Sequence, residues 1–385
     1  MDRRQFLASS GWAAATPLLA QSIATGTRAD AAPGLFEHVD FVSDGLGLRP
    51  LEYASLLHET TAARTFEADN YSNGGLITQL EQKFAQLLGK DAAMFVPTGT
   101  LANHLAIRKL AGLDRRVLVQ AESHYYNDSG DCAATLSGLN LIPLASGRST
   151  IELAEVKRWV ERSAGGRVET QVGAIAIESP VRRKDHEMVD FGELQRVCHY
   201  AREQGIRLHL DGARMFNLPL HSGKSVREHA ALFDTVFVSL WKHFNGACGA
   251  ILAGDAGFIE GLFHMRRMFG GSLPQAWPGA AVALQYADRY EDDYAKAWRA
   301  TDQLTALLQA DGRFRVEKIA HGTSRFLLTV SGVAPEVLNE RLGRQGIVLP
   351  YARPGTGTFP MQVNPTILRT PPEALAQAFI SAMNG

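Results

Sequence analysis

From about residue 76 the chain alternates between two periods. Leu76, Leu80, Phe84, Leu87 and Leu88 recur at helical spacing, so one face of that segment is apolar, and Gly89 is placed to end it. Residues 92–96 follow as a short unbroken apolar run, which predicts a strand covered on both faces. A helix is predicted from Thr100, with Leu101, Leu105 and Leu110 inward. Apolar runs recur at residues 117–121, 139–144, 172–178, 206–210, 235–240 and 247–252, with amphipathic helical stretches at 151–162 and 191–204 between them. Seven short strands separated by helices predict the α/β class, with a mainly parallel seven-stranded sheet covered by helices. Ligands on such sheets bind beyond the carboxyl ends of the strands.

After Gly270-Gly271 the pattern changes. One long helix is predicted over roughly 280–310. Strands follow at 314–317, 324–330 and 347–349, with a helix near 335–345 and a last helix from Pro371. This predicts a large domain over residues 32–275 and a smaller C-terminal α+β domain over residues 276–385.

The N-terminus is a separate object. Arg3-Arg4-Gln5-Phe6-Leu7 precedes a short, weakly apolar run from Gly11 to Ala20, and Ala29-Asp30-Ala31 offers a small-x-small cleavage site. Residues 1–31 therefore predict a twin-arginine signal peptide and a periplasmic protein. The run is too short for a stable membrane anchor. The remaining composition narrows the picture only by exclusion. A net charge of −1 on 385 residues implies no nucleic-acid partner. The cysteines, Cys132, Cys198 and Cys248, have neither metal-ligand spacing nor the even number of a disulfide framework.

Chemistry concentrates at the predicted strand ends. Thr98-Gly99-Thr100-Leu101 joins a strand to a helix start, where amide N–H groups and hydroxyls can cradle a phosphate. Asp211, followed by Gly212, ends a later strand. Lys242 ends the next one, in Ser239-Leu240-Trp241-Lys242. An anion cradle, an acid and a lysine in that order are the parts needed to hold pyridoxal 5′-phosphate (PLP). The acid keeps the pyridine nitrogen protonated and the lysine binds the aldehyde. His124 follows another strand end and could stack on the ring, with Tyr125 a weaker candidate; Arg214 could reach the ring oxygen or a substrate carboxylate.

On these residues the chain resembles the threonine aldolases, within the fold-type I PLP enzymes and the wider aromatic amino acid β-eliminating lyase group. Residues 95–103, Glu122-Ser123-His124, residues 209–217 and the Lys242 segment are similar to that family's signatures. Val42-Ser43-Asp44 resembles its N-terminal segment, whose serine meets the substrate carboxylate. The resemblance implies Lys242, His124, Asp211 and Arg214 as catalytic. It implies Thr98, Gly99, Thr100 and Leu101 as further cofactor ligands, and Ser43, Arg214 and Gln362 as substrate contacts. It also implies a homodimer or homotetramer, and retro-aldol cleavage of a β-hydroxy-α-amino acid to glycine and an aldehyde.

Three positions depart from the family pattern. Val181 stands where the family has a histidine linked to proton transfer, Pro274 where it has an arginine near the phosphate, and Gln362 where it has an arginine for the substrate carboxylate. Arg353 and Arg369 are the sequence candidates to replace the last, and His124 or His186 to act as base. The altered substrate half leaves β-elimination, racemisation, an unusual amine substrate, or a PLP-fold binding protein without catalysis as alternatives.

Overall fold

The computed structural model describes residues 34–384, and the signal peptide expected over residues 1–31 lies outside them. A two-residue strand, β1 (Val39–Asp40), comes first. The main sheet has seven strands: β2 (Ala92–Val96), β3 (Arg116–Gln120), β4 (Asn140–Leu144), β5 (Val172–Glu178), β6 (Arg207–Asp211), β7 (Thr235–Ser239) and β8 (Ala250–Gly254). Their spatial order is β2-β8-β7-β6-β5-β3-β4. Pairs from β4 through β7 are parallel, and β8 alone runs antiparallel to both its neighbours, β7 and β2.

The expected strands are thus all present, each within a few residues. All residues of β5 are buried, because helices cover both faces and polar side chains would lose water without gaining partners. Gly89 ends the helix Gly75–Leu88 in the left-handed conformation, with φ 64°, a geometry that spares it the Cβ clash of other residues. On one side of the sheet Phe84 and Phe216 pack edge-on against Phe244, with ring centroids 4.9 and 5.0 Å away. Such pairs bury large apolar area and favour this perpendicular arrangement.

Parallel strands put their carboxyl ends on one edge. Register sets which residues meet there: Glu178 of β5 lies opposite Asp211 of β6, while two residues further in His209 lies opposite Thr235, the first residue of β7. The helix Gly99–Ala111 runs across β5 to β8 and brings its first turn to the same edge.

The C-terminal part holds β9 (Phe314–Lys318), β10 (Arg325–Val330), β11 (Ile347–Val348) and β12 (Thr358–Gln362). Strands β12, β10 and β9 form an antiparallel sheet in that order. Strand β12 is unmarked in the sequence pattern because it contains Pro360; it is an edge strand, where a missing N–H costs no ladder bond. The helix expected over 280–310 is two helices, Trp277–Tyr286 and Tyr290–Gln309, with no glycine or proline at the break. Strand β1 pairs in parallel with β11, so the segment around Val39–Phe41 packs with the C-terminal part rather than with the main sheet. Among the described residues no helix is long and apolar enough to cross a membrane.

Candidate active site

A cavity of about 560 Å³ opens at the carboxyl edge of the main sheet. It is lined by Thr98, Gly99 and Thr100 from the β2–helix turn, His124 after β3, Glu178 after β5, Asp211 and Arg214 after β6, and Lys242 after β7. Residues scattered over 145 positions of sequence therefore face one space.

The turn at Thr98 is both cap and cradle. Thr98 Oγ1 accepts from the Leu101 amide at 3.2 Å, which leaves the threonine's own proton free to donate outward. The Leu101 amide is therefore spent within the protein and Leu101 does not line the cavity, contrary to the expectation that it would hold the cofactor. The amides of Gly99 and Thr100, the first of their helix, have no intrahelical acceptor and face an anion site at the positive end of the dipole. Gly99 is needed for a second reason: a Cβ there would lie 2.3 Å from Cζ of Phe237. Buried Arg266 supports the approach to this turn by donating from Nη1 to the Phe95 carbonyl at 2.6 Å.

Asp211 is held by its neighbours. Asn103 Nδ2 donates to Asp211 Oδ2 at 2.6 Å, and the Ala213 amide donates to Oδ1 at 3.2 Å. Behind Asn103, its Oδ1 and His209 Nε2 are 2.8 Å apart, and His209 Nδ1 and Thr235 Oγ1 are 2.8 Å apart. The network has one consistent polarity. An amide oxygen can only accept, so His209 carries its proton on Nε2 and takes the Thr235 hydroxyl on Nδ1. Burial keeps His209 neutral by pushing it down to about 4.

Lys242 projects from the loop after β7, with Nζ 4.6 Å from the centroid of the Trp241 ring. Burial, then the nearby Arg214, lowers its amine to about 8. The loop is tight where Gly249 crosses Phe95: φ is +108° and a Cβ would stand 2.5 Å from the ring. His124 starts a short turn whose backbone N–H donates to Glu178 Oε2 at 2.6 Å, while the Arg182 amide donates to Glu178 Oε1 at 2.9 Å. Glu178 thereby fastens two loops of the cavity together. Burial, then the charge on Asp211, pushes its carboxyl up to about 7. Tyr125 instead turns into the core, its hydroxyl 3.4 Å from His104 Nδ1, so of the two it is His124 that lines the cavity, together with Phe237 and Trp241.

Arg214 lines the cavity, but it is already paired. Its Nε and Nη2 fork onto Asp44 Oδ1 and Oδ2, each at 2.7 Å. Burial opposes the charge on Asp44, but Arg214 outweighs it and holds the carboxyl far below the usual range. The expectation that Arg214 would be open to a substrate carboxylate is corrected accordingly: that fork carries an internal one.

The other expected substrate contacts sit apart. Ser43 lines an adjoining cavity that shares Trp241, Lys242 and Ala247 with the first. Gln362 is buried and lines neither; its Nε2 is 3.5 Å from Asp44 Oδ1. His186 is likewise fully buried, its Nδ1 2.7 Å from Ser324 Oγ, away from the cavity wall. Arg353 pairs with Asp185 at 2.5 Å, and Arg369 donates to the His38 carbonyl at 2.8 Å.

The sequence reading missed Asp44, Asn103, Glu178 and His209 as parts of the site. Asp44, Asn103 and His209 stood inside quoted motifs and Glu178 ended a predicted strand; the spacing of the chain carried no sign of their partners.

The description of the beta-eliminating lyase family matches residues 54–321. The chain belongs to this beta-eliminating lyase family. Among curated relatives, the low-specificity L-threonine aldolase of Eremothecium gossypii is 28% identical over 307 residues, covering 78% of each chain. The low-specificity L-threonine aldolase of Candida albicans is 28% identical over 227 residues, covering 58% of this chain and 60% of the relative. The chain thus spans less than two thirds of that relative's length. A crystal structure from Listeria monocytogenes, provisionally named an L-allo-threonine aldolase, superposes with a TM-score of 0.74 at 25% identity, covering 90% of this chain and 96% of the other.

The beta-eliminating lyase fold here is that of the fold-type I PLP enzymes, and the cofactor is PLP. The residues present fit it. Free amides at a helix start suit a phosphate, a fixed carboxylate suits a protonated ring nitrogen, and a lysine of lowered basicity suits an aldehyde.

Proposed function

We propose that the protein is a PLP-dependent lyase that cleaves the Cα–Cβ bond of a β-hydroxy-α-amino acid, releasing glycine and an aldehyde. One observation carries this reading: Lys242, Asp211, His124 and the Thr98–Thr100 turn all face a single cavity. The threonine aldolase names of the relatives support it.

The cofactor, when bound, supplies an electron sink for the pair left on Cα. The chain's own residues do the rest. Lys242 would hold the cofactor covalently. Thr98, Gly99 and Thr100 would hold its phosphate. Asp211, oriented by Asn103, would stand beside the ring nitrogen, and His124 would cover the ring face. Burial lowers the His124 basicity, so the imidazole is neutral at pH 7 and can accept the proton of the substrate β-hydroxyl. As that proton leaves, a carbonyl forms at Cβ and the Cα–Cβ bond breaks; Cα then gains a proton to give glycine. Lys242, with a conjugate acid near 8, can return one.

Product analysis tests the reading. Holoprotein given L-threonine, L-allo-threonine and phenylserine should yield glycine and the matching aldehyde in equal amounts, with Lys242→Ala inactive. Ammonia with 2-oxobutanoate from the threonines, or with phenylpyruvate from phenylserine, would replace cleavage by β-elimination, and inverted substrate by racemisation. Bound cofactor with no turnover of any amino acid would leave a binding protein. The same proposal includes a homodimer or homotetramer, tested by sedimentation. It also includes export to the periplasm, supported by Arg3-Arg4-Gln5-Phe6-Leu7 and tested by cell fractionation.

A further inference from the structure

We propose that Arg182 is the receptor for a carboxylate of the substrate, an inference that rests on the amino-acid lyase reading and names how its substrate is held. Among the described residues, two arginines line the main cavity, Arg214 and Arg182. Arg214 has spent its fork on Asp44, and that pair is nearly inaccessible, with 8% and 11% of the side chains exposed. A second carboxylate could bind that fork only by displacing the first from a buried bidentate pair.

Arg182 is different in charge and in bonding. Its Nη2 donates to Asp128 Oδ2 at 2.5 Å. The same carboxylate takes Arg183 Nε at 3.1 Å on Oδ2 and Arg183 Nη2 at 2.7 Å on Oδ1. Two cations share one anion, so the trio keeps one net positive charge beside the cavity. The Arg182 Nε is buried and has no hydrogen-bond partner. A buried donor without an acceptor is uncommon in folded proteins and marks a place for one. Guanidinium N–H donors suit carboxylates in charge, and Nε is the Arg182 donor left over once Nη2 has gone to Asp128.

The placement is prepared by the fold. The Arg182 amide is fixed to Glu178, and Val181 before it is fully buried in the core. A short turn, Arg182–Lys184, follows at once. The backbone therefore cannot easily carry the side chain away. Other arginines near the C-terminal sheet are committed elsewhere. Arg325, directly across from Gln362, donates to Gln362 and Asp185, and Arg353 also pairs with Asp185.

The carboxylate could be the α-carboxylate shared by amino acids or a second one on the substrate side chain. Calorimetry on the holoprotein separates them, using glycine, aspartate and ethylamine as probes. Arg182→Gln should weaken the carboxylate probes by about tenfold or more and leave ethylamine within about twofold. Equal losses for glycine and aspartate identify the α-carboxylate; a loss for aspartate alone identifies a side-chain carboxylate. Turnover should show the loss in KM rather than kcat. Arg182→Lys, which keeps the charge without the fork, should fall between the two and serves if the glutamine variant does not fold. Arg183→Gln, which removes the surplus charge but keeps the Arg182 Nε donor, should weaken the carboxylate probes less than Arg182→Gln does.

Unchanged affinity for every carboxylate in a folded Arg182→Gln protein overturns the proposal. So does loss of cofactor from that variant, which would assign Arg182 to the phosphate. The two readings fail separately. Carboxylate binding that depends on Arg182 without glycine release removes only the cleavage reading, and cleavage indifferent to Arg182 removes only this one.

Discussion

Asn103 stands between Asp211 and His209, donating to the first at 2.6 Å and accepting from the second at 2.8 Å. One amide side chain thus fixes both the orientation of the carboxylate and the tautomer of the imidazole behind it. His209 is fully buried, so it cannot turn to water if Asn103 is removed.

Asn103→Ala should cost about 1–3 kcal/mol of stability, because a buried donor and a buried charge each lose a partner. It should also lower kcat, since Asp211 is no longer held toward the ring nitrogen, and alter the absorbance of the bound cofactor. Urea denaturation and an absorbance spectrum check the two effects. Wild-type values in both would show that Asp211 is fixed by something else.

Asp44→Asn strands the Arg214 charge in a buried site. Breaking such a pair by removing one partner costs about 3–5 kcal/mol, whereas replacing both with apolar groups is often neutral. Asp44→Asn should therefore be far less stable than an Asp44→Leu/Arg214→Met double variant. A denaturant titration of the two decides it, and adding Asp44→Leu and Arg214→Met singly completes the cycle that gives the coupling.

Gly99→Ala should disrupt the phosphate turn, because the new methyl would overlap the Phe237 ring. We expect cofactor affinity to fall by at least tenfold and to recover in part when Phe237→Leu makes room, an effect of about 1–3 kcal/mol for overpacking. Equilibrium dialysis of the cofactor measures both.

Lys242 reacts as the neutral amine. With its conjugate acid near 8, cofactor uptake by the cofactor-free protein should rise with pH and level off above about 8. An ordinary lysine would still be gaining reactivity near pH 10. A reconstitution rate profile that climbs without a plateau to pH 10 would contradict the burial of this group.

Glu178 carries the opposite sign. Its carboxyl is raised from 4.5 to about 7, so between those values the folded protein holds a proton that the unfolded chain has released. Stability of the cofactor-free protein should then decline as pH rises from about 4.5 to 7, the reverse of the usual carboxylate. Glu178→Gln should remove that decline. It should also lower stability at every pH, because one of the two backbone N–H groups would face an amide donor. Melting temperatures across the range test both.

Much of this architecture was legible along the chain. The seven strands, the turn at Thr98, the acid at Asp211 and the lysine at Lys242 each follow from short-range rules of periodicity, capping and burial. Strand β12 and the break after Tyr286 were not. Pro360 hides the first until β12 is known to be an edge, and no helix-breaking residue marks the second.

The amino-acid order by itself determined the fold class and the cofactor half of the site, because a strand that stops and a helix that starts are written in neighbouring residues. Only the tertiary structure decided the substrate half. Asp44 meets Arg214 from 170 positions away, and Arg325 faces Gln362 through strand register. Such meetings depend on how whole elements pack, and a bidentate ion pair forms only when both groups are delivered to one spot and shielded from water. No spacing along the chain encodes that, which is why an arginine forked onto a buried carboxylate and one that shares its carboxylate look the same until they are folded.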